Sequence, residues 1–336
     1  MILISMDLGY MILLNNRTFV ISSLYKYYFP QIAYTFTVIL SFNSVVGTIG
    51  NILTIIAVLT TKELNFEGNL FVINLACADL VISGFVEPMN VVGILEGEIF
   101  FVSKYGFCRF VASTCITSCI CSLLNIMVVG VNRYTFIVKN GWYRKFFTRR
   151  LCYLYCVLIW ITAFTLQVPN FFGWGGQTYD VKTLSCTFDR MTDRSFLIFF
   201  AGFIIGAPVI VTVYCYIRIY LQWRQVSVKV SQMSKQNRAS EIKSMKLARM
   251  LFLLFFVFLV CWSPYGIVAL VDEHNTFSVI THILIVALAH FNSSVNPFLY
   301  GFTNQQFQDA YIKLFRKIFC FHKVRGENAI HSSTTN

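Results

Sequence analysis

Asp79 stands alone in an otherwise apolar run near 69–95, and it is the one acid expected at membrane depth. A carboxylate in hydrocarbon costs several kcal/mol unless it is partnered, so its chemistry is to hold a polar network or a cation. Asn51, Ser122, Asn292, Ser293 and Asn296 lie in other apolar runs and could supply the oxygens or amides. Arg133, between Asn132 and Tyr134 at the end of a third run, carries a planar guanidinium that can be restrained internally or offered to a partner's carbonyl groups. Pro264 and Pro297 each remove a helix hydrogen bond, which makes bending points in two late runs. The five histidines, His274, His282, His290, His322 and His331, are scattered, and the cysteines lack tight Cys-Cys spacing. These residues form neither a zinc site nor a nucleophile-base pair, and an enzyme is disfavoured.

The elements that must position these groups follow from composition. The 336 residues are 57% hydrophobic and only 12% charged, against about 25% charged in soluble domains. Spanning the hydrocarbon core takes about 20 apolar residues at 1.5 Å each. Seven segments qualify, near 32–60, 69–95, 106–137, 150–172, 195–222, 245–271 and 278–302. They must be helices, because lipid offers no partner for exposed backbone groups and the runs are too long for barrel strands. The expectation is an all-α membrane protein, a seven-transmembrane helix bundle. Lys and Arg crowd the loops at 139–150 and 224–249 and the stretch 313–325, which makes that side cytoplasmic and the N-terminus extracellular. Asn16-Arg17-Thr18 is then a glycosylation sequon on the outer side. The formal net charge of +12 thus follows topology, and nucleic acid is not an expected partner. Past the last span, Phe307, Tyr311, Leu314, Phe315 and Ile318 recur at helical spacing among basic residues. This predicts a short amphipathic eighth helix on the inner leaflet, with Cys320 a candidate for palmitoylation. The division is an extracellular N-terminus at 1–31, a seven-span domain at 32–302, and the amphipathic helix with its tail at 303–336. The first residues lack a basic leading segment and predict no cleaved signal. No repeated halves or polar-lined spans appear, against a transporter or channel.

Several motifs fall in these spans in order: Gly50-Asn51, Asn74-Leu75-Ala76-Cys77-Ala78-Asp79, Cys108 followed by Asn132-Arg133-Tyr134, Trp160, Pro208 with Tyr216, Cys261-Trp262-Ser263-Pro264, and Asn296-Pro297-Phe298-Leu299-Tyr300. Over roughly residues 35–320 the chain resembles the rhodopsin-like family of G-protein-coupled receptors. The resemblance implies a plasma-membrane receptor for a small-molecule agonist that signals to a heterotrimeric G protein. It implies a sodium ion on Asp79 and Ser122, Trp262 as a toggle under the ligand, movement of the sixth helix, and Arg133 as the G-protein contact supported by Tyr216 and Tyr300. Cys108 and Cys186, both at the outer side, are expected to be bonded. No cofactor beyond that ion is expected.

Within the family, Asn132-Arg133-Tyr134, Val168-Pro169-Asn170 and Ser185-Cys186-Thr187-Phe188 look like melatonin receptors, with Asn170 matching a ligand-contacting asparagine. Ile204 stands where that branch carries histidine, Arg190 where it carries glutamine, and Pro297 where it often carries alanine. Phe172-Gly173-Trp174-Gly175-Gly176 also resembles animal opsins, but His290 occupies the retinal-lysine position and no lysine lies in that span. Asn132 replaces the usual acid before Arg133, which predicts a weaker inactive restraint and ligand-independent signalling. Cys115 stands where amine receptors place aspartate, leaving no countercharge for an ammonium. The expected pocket, Cys115, Ile116, Cys119, Asn170, Ile204, Tyr265, Gly266, Val286 and His290, is mostly apolar and suits a lipophilic or indole-like molecule. The alternatives are an opsin-related receptor without the retinal lysine, or a non-coupling membrane receptor or scaffold.

Overall fold

The computed structural model describes residues 3–6, 9–14, 17–20, 29–64, 67–102, 104–229 and 235–317. Asn16 and Cys320 lie outside the described residues. The first three stretches are strands β1 (Leu3–Met6), β2 (Gly9–Leu14) and β3 (Arg17–Val20), paired as an antiparallel sheet.

Seven helices are long and apolar enough to cross a membrane, and each falls within a few residues of its expected place. They are α1 (Pro30–Thr60), α2 (Glu67–Glu96), α3 (Tyr105–Val138), α4 (Arg149–Phe171), α5 (Arg194–Gln225), α6 (Met245–Val271) and α7 (Val279–Thr303). Local chemistry sets their starts. Pro30 opens α1, where a missing N–H costs nothing. Asp193 caps α5 by accepting from the Ser195 and Phe196 backbone N–H groups, and Ser278 caps α7 through the N–H of Thr281. Those hydrogen bonds hold the Asp193 carboxyl below its ordinary value.

Burial is inverted relative to a soluble protein. Phe42 and Ile210 are 70% and 69% exposed on the helix exteriors, while Asn51, Asp79, Asn125 and Asn296 are buried between helices. The apolar exterior is what a bilayer solvates, and the polar interior lets helices hydrogen-bond to one another. α3 runs through the middle, touching α2, α4, α5 and α6, while α7 joins α6 to α1. Two π turns, Ile82–Val86 in α2 and Phe200–Ile205 in α5, each widen the helix and rotate the side chains that follow.

Two further elements complete the frame. β4 (Gln177–Asp180) and β5 (Ser185–Phe188) form a hairpin tied to α3 by the Cys108–Cys186 disulfide. After Asn304, a helix at 305–317 (α8) packs Phe307 on the Tyr300 ring at 5.0 Å, and the Tyr311 hydroxyl meets Thr54 of α1 at 2.8 Å. This is the expected amphipathic helix, anchored by its aromatic face.

One expectation is corrected. Asp79 is not the single acid at depth, because Glu87, two turns later in α2, is also fully buried. The Asn43 amide of α1 donates to Glu87 Oε1. The sequence suited a place near the water, but the π turn between the two acids directs Glu87 inward against α1.

Candidate functional site

Beneath the hairpin lies a cavity of about 360 Å³ enclosed by α2, α3, α5, α6 and α7. Cys115, Ile116 and Cys119 form one wall, Tyr265 and Gly266 another, and Val286 and His290 a third. Residues Ser185, Cys186, Thr187 and Phe188 make the roof, and Trp262 closes the end toward mid-bundle. The disulfide therefore fixes the roof directly over the opening of α3.

Two expected lining residues are elsewhere. Asn170 is buried beyond the roof, donating to the Gln167 carbonyl at 3.2 Å, with its side chain against Gly175. Ile204 packs into an apolar cluster with Ile116, Ile120, Phe188 and Phe196, and Ile205 faces the cavity in its place. The π turn of α5 accounts for the second difference, since an extra residue in one turn shifts every register-based assignment around it.

The polar end of the cavity is a small connected group. His290 Nδ1 lies 3.1 Å from the Asn90 amide nitrogen, and its Nε2 lies 3.8 Å from Cys115 Sγ. Glu87 lies behind them, within electrostatic reach of His290. Sequence reasoning missed Asn90 and Glu87. The available signal was their position two and three turns beyond Asp79 on the same helix.

At mid-bundle Asp79 accepts from the Asn296 amide at 2.7 Å and from Ser122 Oγ at 3.3 Å, and Ser293 also hydrogen-bonds it. Asn292 Oδ1 is buried close by in sequence with no hydrogen-bond partner among the described residues. Asn51 turns away, donating to the Gly47 and Ser293 carbonyls at 2.9 Å each. At the far end from the hairpin, Arg133 is buried within electrostatic reach of Tyr143 and Tyr216, and the Asn132 side-chain amide is buried with no hydrogen-bond partner among the described residues. Tyr134 packs edge-on against Tyr214, and Tyr300 is fully buried beside α8. Trp262 stacks on Phe258 and meets Tyr265 edge-on, one residue either side of the Ser263-Pro264 step.

Residues 50–300 match the family described as 7 transmembrane receptor (rhodopsin family). The chain belongs to this family. It is 33% identical over 283 residues to melatonin receptor type 1C of Xenopus laevis, covering 82% of this chain and 66% of that protein. It is 31% identical over 291 residues to melatonin receptor type 1A of Mus musculus, covering 84% of this chain and 80% of that protein. The chain thus spans just under two thirds of the length of the Xenopus laevis receptor. The crystal structure of squid rhodopsin shares the fold with a TM-score of 0.77 at 21% identity, covering 86% of each chain. The protein is therefore a multi-pass membrane receptor and not an enzyme.

In this rhodopsin-family receptor the hairpin is held by a buried ionic cluster that the sequence did not reveal. Arg190, just past β5, lies 3.4 Å from Asp272 and 3.7 Å from Asp180, and it also bonds Asn275. His282 of α7 lies 3.0 Å from Asp272. Asp272 further accepts from the backbone N–H groups of Thr276 and Phe277. Burial alone would raise the Asp272 carboxyl, but these hydrogen bonds outweigh it and hold it at about 2. Arg190 thus joins the hairpin to the α6–α7 turn and to α7. Arg190, one of the three residues that depart from the expected melatonin-receptor pattern, acts as a latch on the roof.

Proposed function

We propose that this receptor carries an extracellular small-molecule signal, from a lipophilic or indole-like agonist, to a heterotrimeric G protein at the plasma membrane. The observation that carries the reading is the cavity itself. It is roofed, largely apolar, and ends on Trp262 within two residues of the helix-bending Pro264. The relatives named as melatonin receptors support the indole class.

An agonist filling the cavity would touch Trp262 and Tyr265 on either side of the Pro264 bend. Pro264 leaves a carbonyl of α6 without its helical partner, so a small shift at the tryptophan turns into a larger swing of the far end. That end flanks Arg133, Tyr216 and Tyr300. Moving α6 outward would open a cleft in which the Arg133 guanidinium meets carbonyl groups of the partner, with Pro297 giving α7 a second bend. The agonist acts by favouring this arrangement, a population shift rather than a reaction. In this reading the hairpin faces outward, the chain at 1–31 is extracellular, and Arg133, α8 and the tail at 303–336 face the cytoplasm beside membrane lipids.

A sodium ion fits the mid-bundle donors. Asp79 and Ser122 Oγ are hard oxygens 3.3 Å apart on two helices, Asn292 Oδ1, without a hydrogen-bond partner among the described residues, lies on a third, and Ser293 and Asn296 would orient the carboxylate. Bound there, the ion would neutralise Asp79 and brace the inactive packing.

The test is G-protein activation in cells expressing wild type or Arg133→Ala at matched surface level, across several Gα subtypes, with melatonin, related indoles and retinal. Signal above mock that disappears in Arg133→Ala is the expected result. Silence of well-expressed wild type under every condition would remove the coupling reading. Because Asn132 supplies no countercharge to Arg133, wild type is also expected to signal without ligand. Asn132→Asp should lower this basal signal several-fold, by about 1 kcal/mol of added restraint. A basal level no higher in wild type than in Asn132→Asp would rule the weak restraint out.

A further inference from the structure

The polar end of the cavity does more than offer hydrogen bonds to a ligand. Cys115 Sγ lies on the cavity wall 3.8 Å from His290 Nε2, and Cys119, one turn on, hydrogen-bonds Cys115 as well. The Asn90 amide lies 3.1 Å from the other ring nitrogen of His290; with its oxygen turned to that nitrogen it accepts from Nδ1–H, which leaves the Nε2 lone pair facing the sulfur. Glu87, whose Oε2 has no hydrogen-bond partner among the described residues, lies behind that ring. A thiol with an imidazole in reach, and an amide holding the imidazole, is the general arrangement of an activated sulfur nucleophile. Here it opens on an apolar, roofed space instead of a water-filled cleft.

We propose that Cys115 is a nucleophile inside the ligand cavity and that the receptor captures lipophilic α,β-unsaturated aldehydes or ketones on it as thioethers. The inference rests on the cavity being the ligand pocket and names a further class of molecule for it. His290 takes the proton from Cys115. The sulfur electron pair forms a bond to the β-carbon, the carbon-carbon π pair moves to the α-carbon as an enolate, and His290 returns the proton there. Nothing leaves and nothing is oxidised or reduced, so the addition needs no further reagent. The apolar walls select a hydrocarbon tail, and the soft sulfur selects a soft carbon over a carbonyl carbon. Asn90 and Glu87 are positioning residues that act through His290.

The full-length receptor in lipid nanodiscs would be exposed to trans-2-nonenal below stoichiometry, reduced with borohydride, and mapped by peptide mass spectrometry. Cys115 is expected to carry the adduct about tenfold or more ahead of Cys215 and Cys261, buried thiols away from the cavity. Cys215→Ser should retain the labelling, Cys115→Ser should lose it, and saturated nonanal should leave no stable adduct on Cys115. His290→Gln, with an unchanged melting temperature, should slow Cys115 labelling on the order of 100-fold, the usual contribution of a positioned base. Adduct spread evenly over the thiols, adduct on Cys119 in preference to Cys115, or an unlabelled Cys115 would overturn the proposal. A labelling rate unaffected by His290→Gln would do the same for the activated pair. The readout involves no G protein, so failure of capture and failure of coupling are told apart.

Discussion

Asp272→Ala is expected to destabilise the receptor by about 3–5 kcal/mol, the usual cost of leaving a buried charge without its partner. Arg190 would keep Asp180 at 3.7 Å, the Asn275 side chain, the backbone carbonyl of residue 272 at 3.5 Å and His282 Nε2 at 3.4 Å, but it would lose its nearer carboxylate, and His282 and the Thr276 and Phe277 N–H groups would lose their acceptor. Asp272→Asn should cost less, because an amide oxygen can still accept from the α6–α7 turn. Thermal unfolding of purified receptor measures both, and a drop equal for the two variants would mean that charge is not what holds the latch.

The same carboxyl gives a pH dependence of known sign. Its folded-state value, about 2, lies below the ordinary 3.8. Its contribution is therefore complete above about pH 4 and is lost as pH falls through about 2, since the unfolded chain takes up the proton first. Wild type should lose stability relative to Asp272→Asn across that window. Parallel curves for the two proteins would show that the carboxylate contributes nothing there.

Gly47→Val is expected to remove most folded receptor from the cell surface. A Cβ at this position would lie 2.3 Å from Ser294 Oγ and 2.8 Å from Ser83 Cβ, closer than real Cβ contacts come. Ser294 cannot swing away freely, because its hydroxyl donates to the Asn43 carbonyl at 3.0 Å. Forcing α1 off α2 and α7 costs about 1–3 kcal/mol from overpacking alone. It also strains the Asn43 bond to Glu87, which leaves a buried carboxyl short of its donor. Gly106→Val is the control, since a Cβ there meets nothing within 4 Å. Equal surface levels of the two variants would show that α1 has room that the packing denies.

Much of the architecture was legible in the residue order because a bilayer imposes a simple rule. A segment that crosses must be apolar for about 20 residues and must satisfy its own backbone. Asp79, the Arg133 end and the two helix prolines stood out because polar groups and prolines are costly there. The Cys115, Ile116, Cys119, Tyr265, Val286 and His290 wall followed from regular helical register. Asn170 and Ile204 did not, because register arithmetic fails across the 3₁₀ end of α4 and the π turn of α5. Glu87 escaped for a related reason. Its neighbour Pro88 and the nearby α2 terminus resemble a water-facing edge, and only the π turn shows that its side chain meets Asn43.

By itself the sequence determined the seven helices, the side on which the basic loops gather and the family motifs, since these depend on local polarity and spacing. Only the tertiary structure decided that Arg190, Asp180, Asp272 and His282 converge into one latch, and that Cys115, His290, Asn90 and Glu87 share one end of the cavity. Those groups are brought together by helix rotation and loop closure, which depend on how all seven helices pack and leave no periodic trace in the chain.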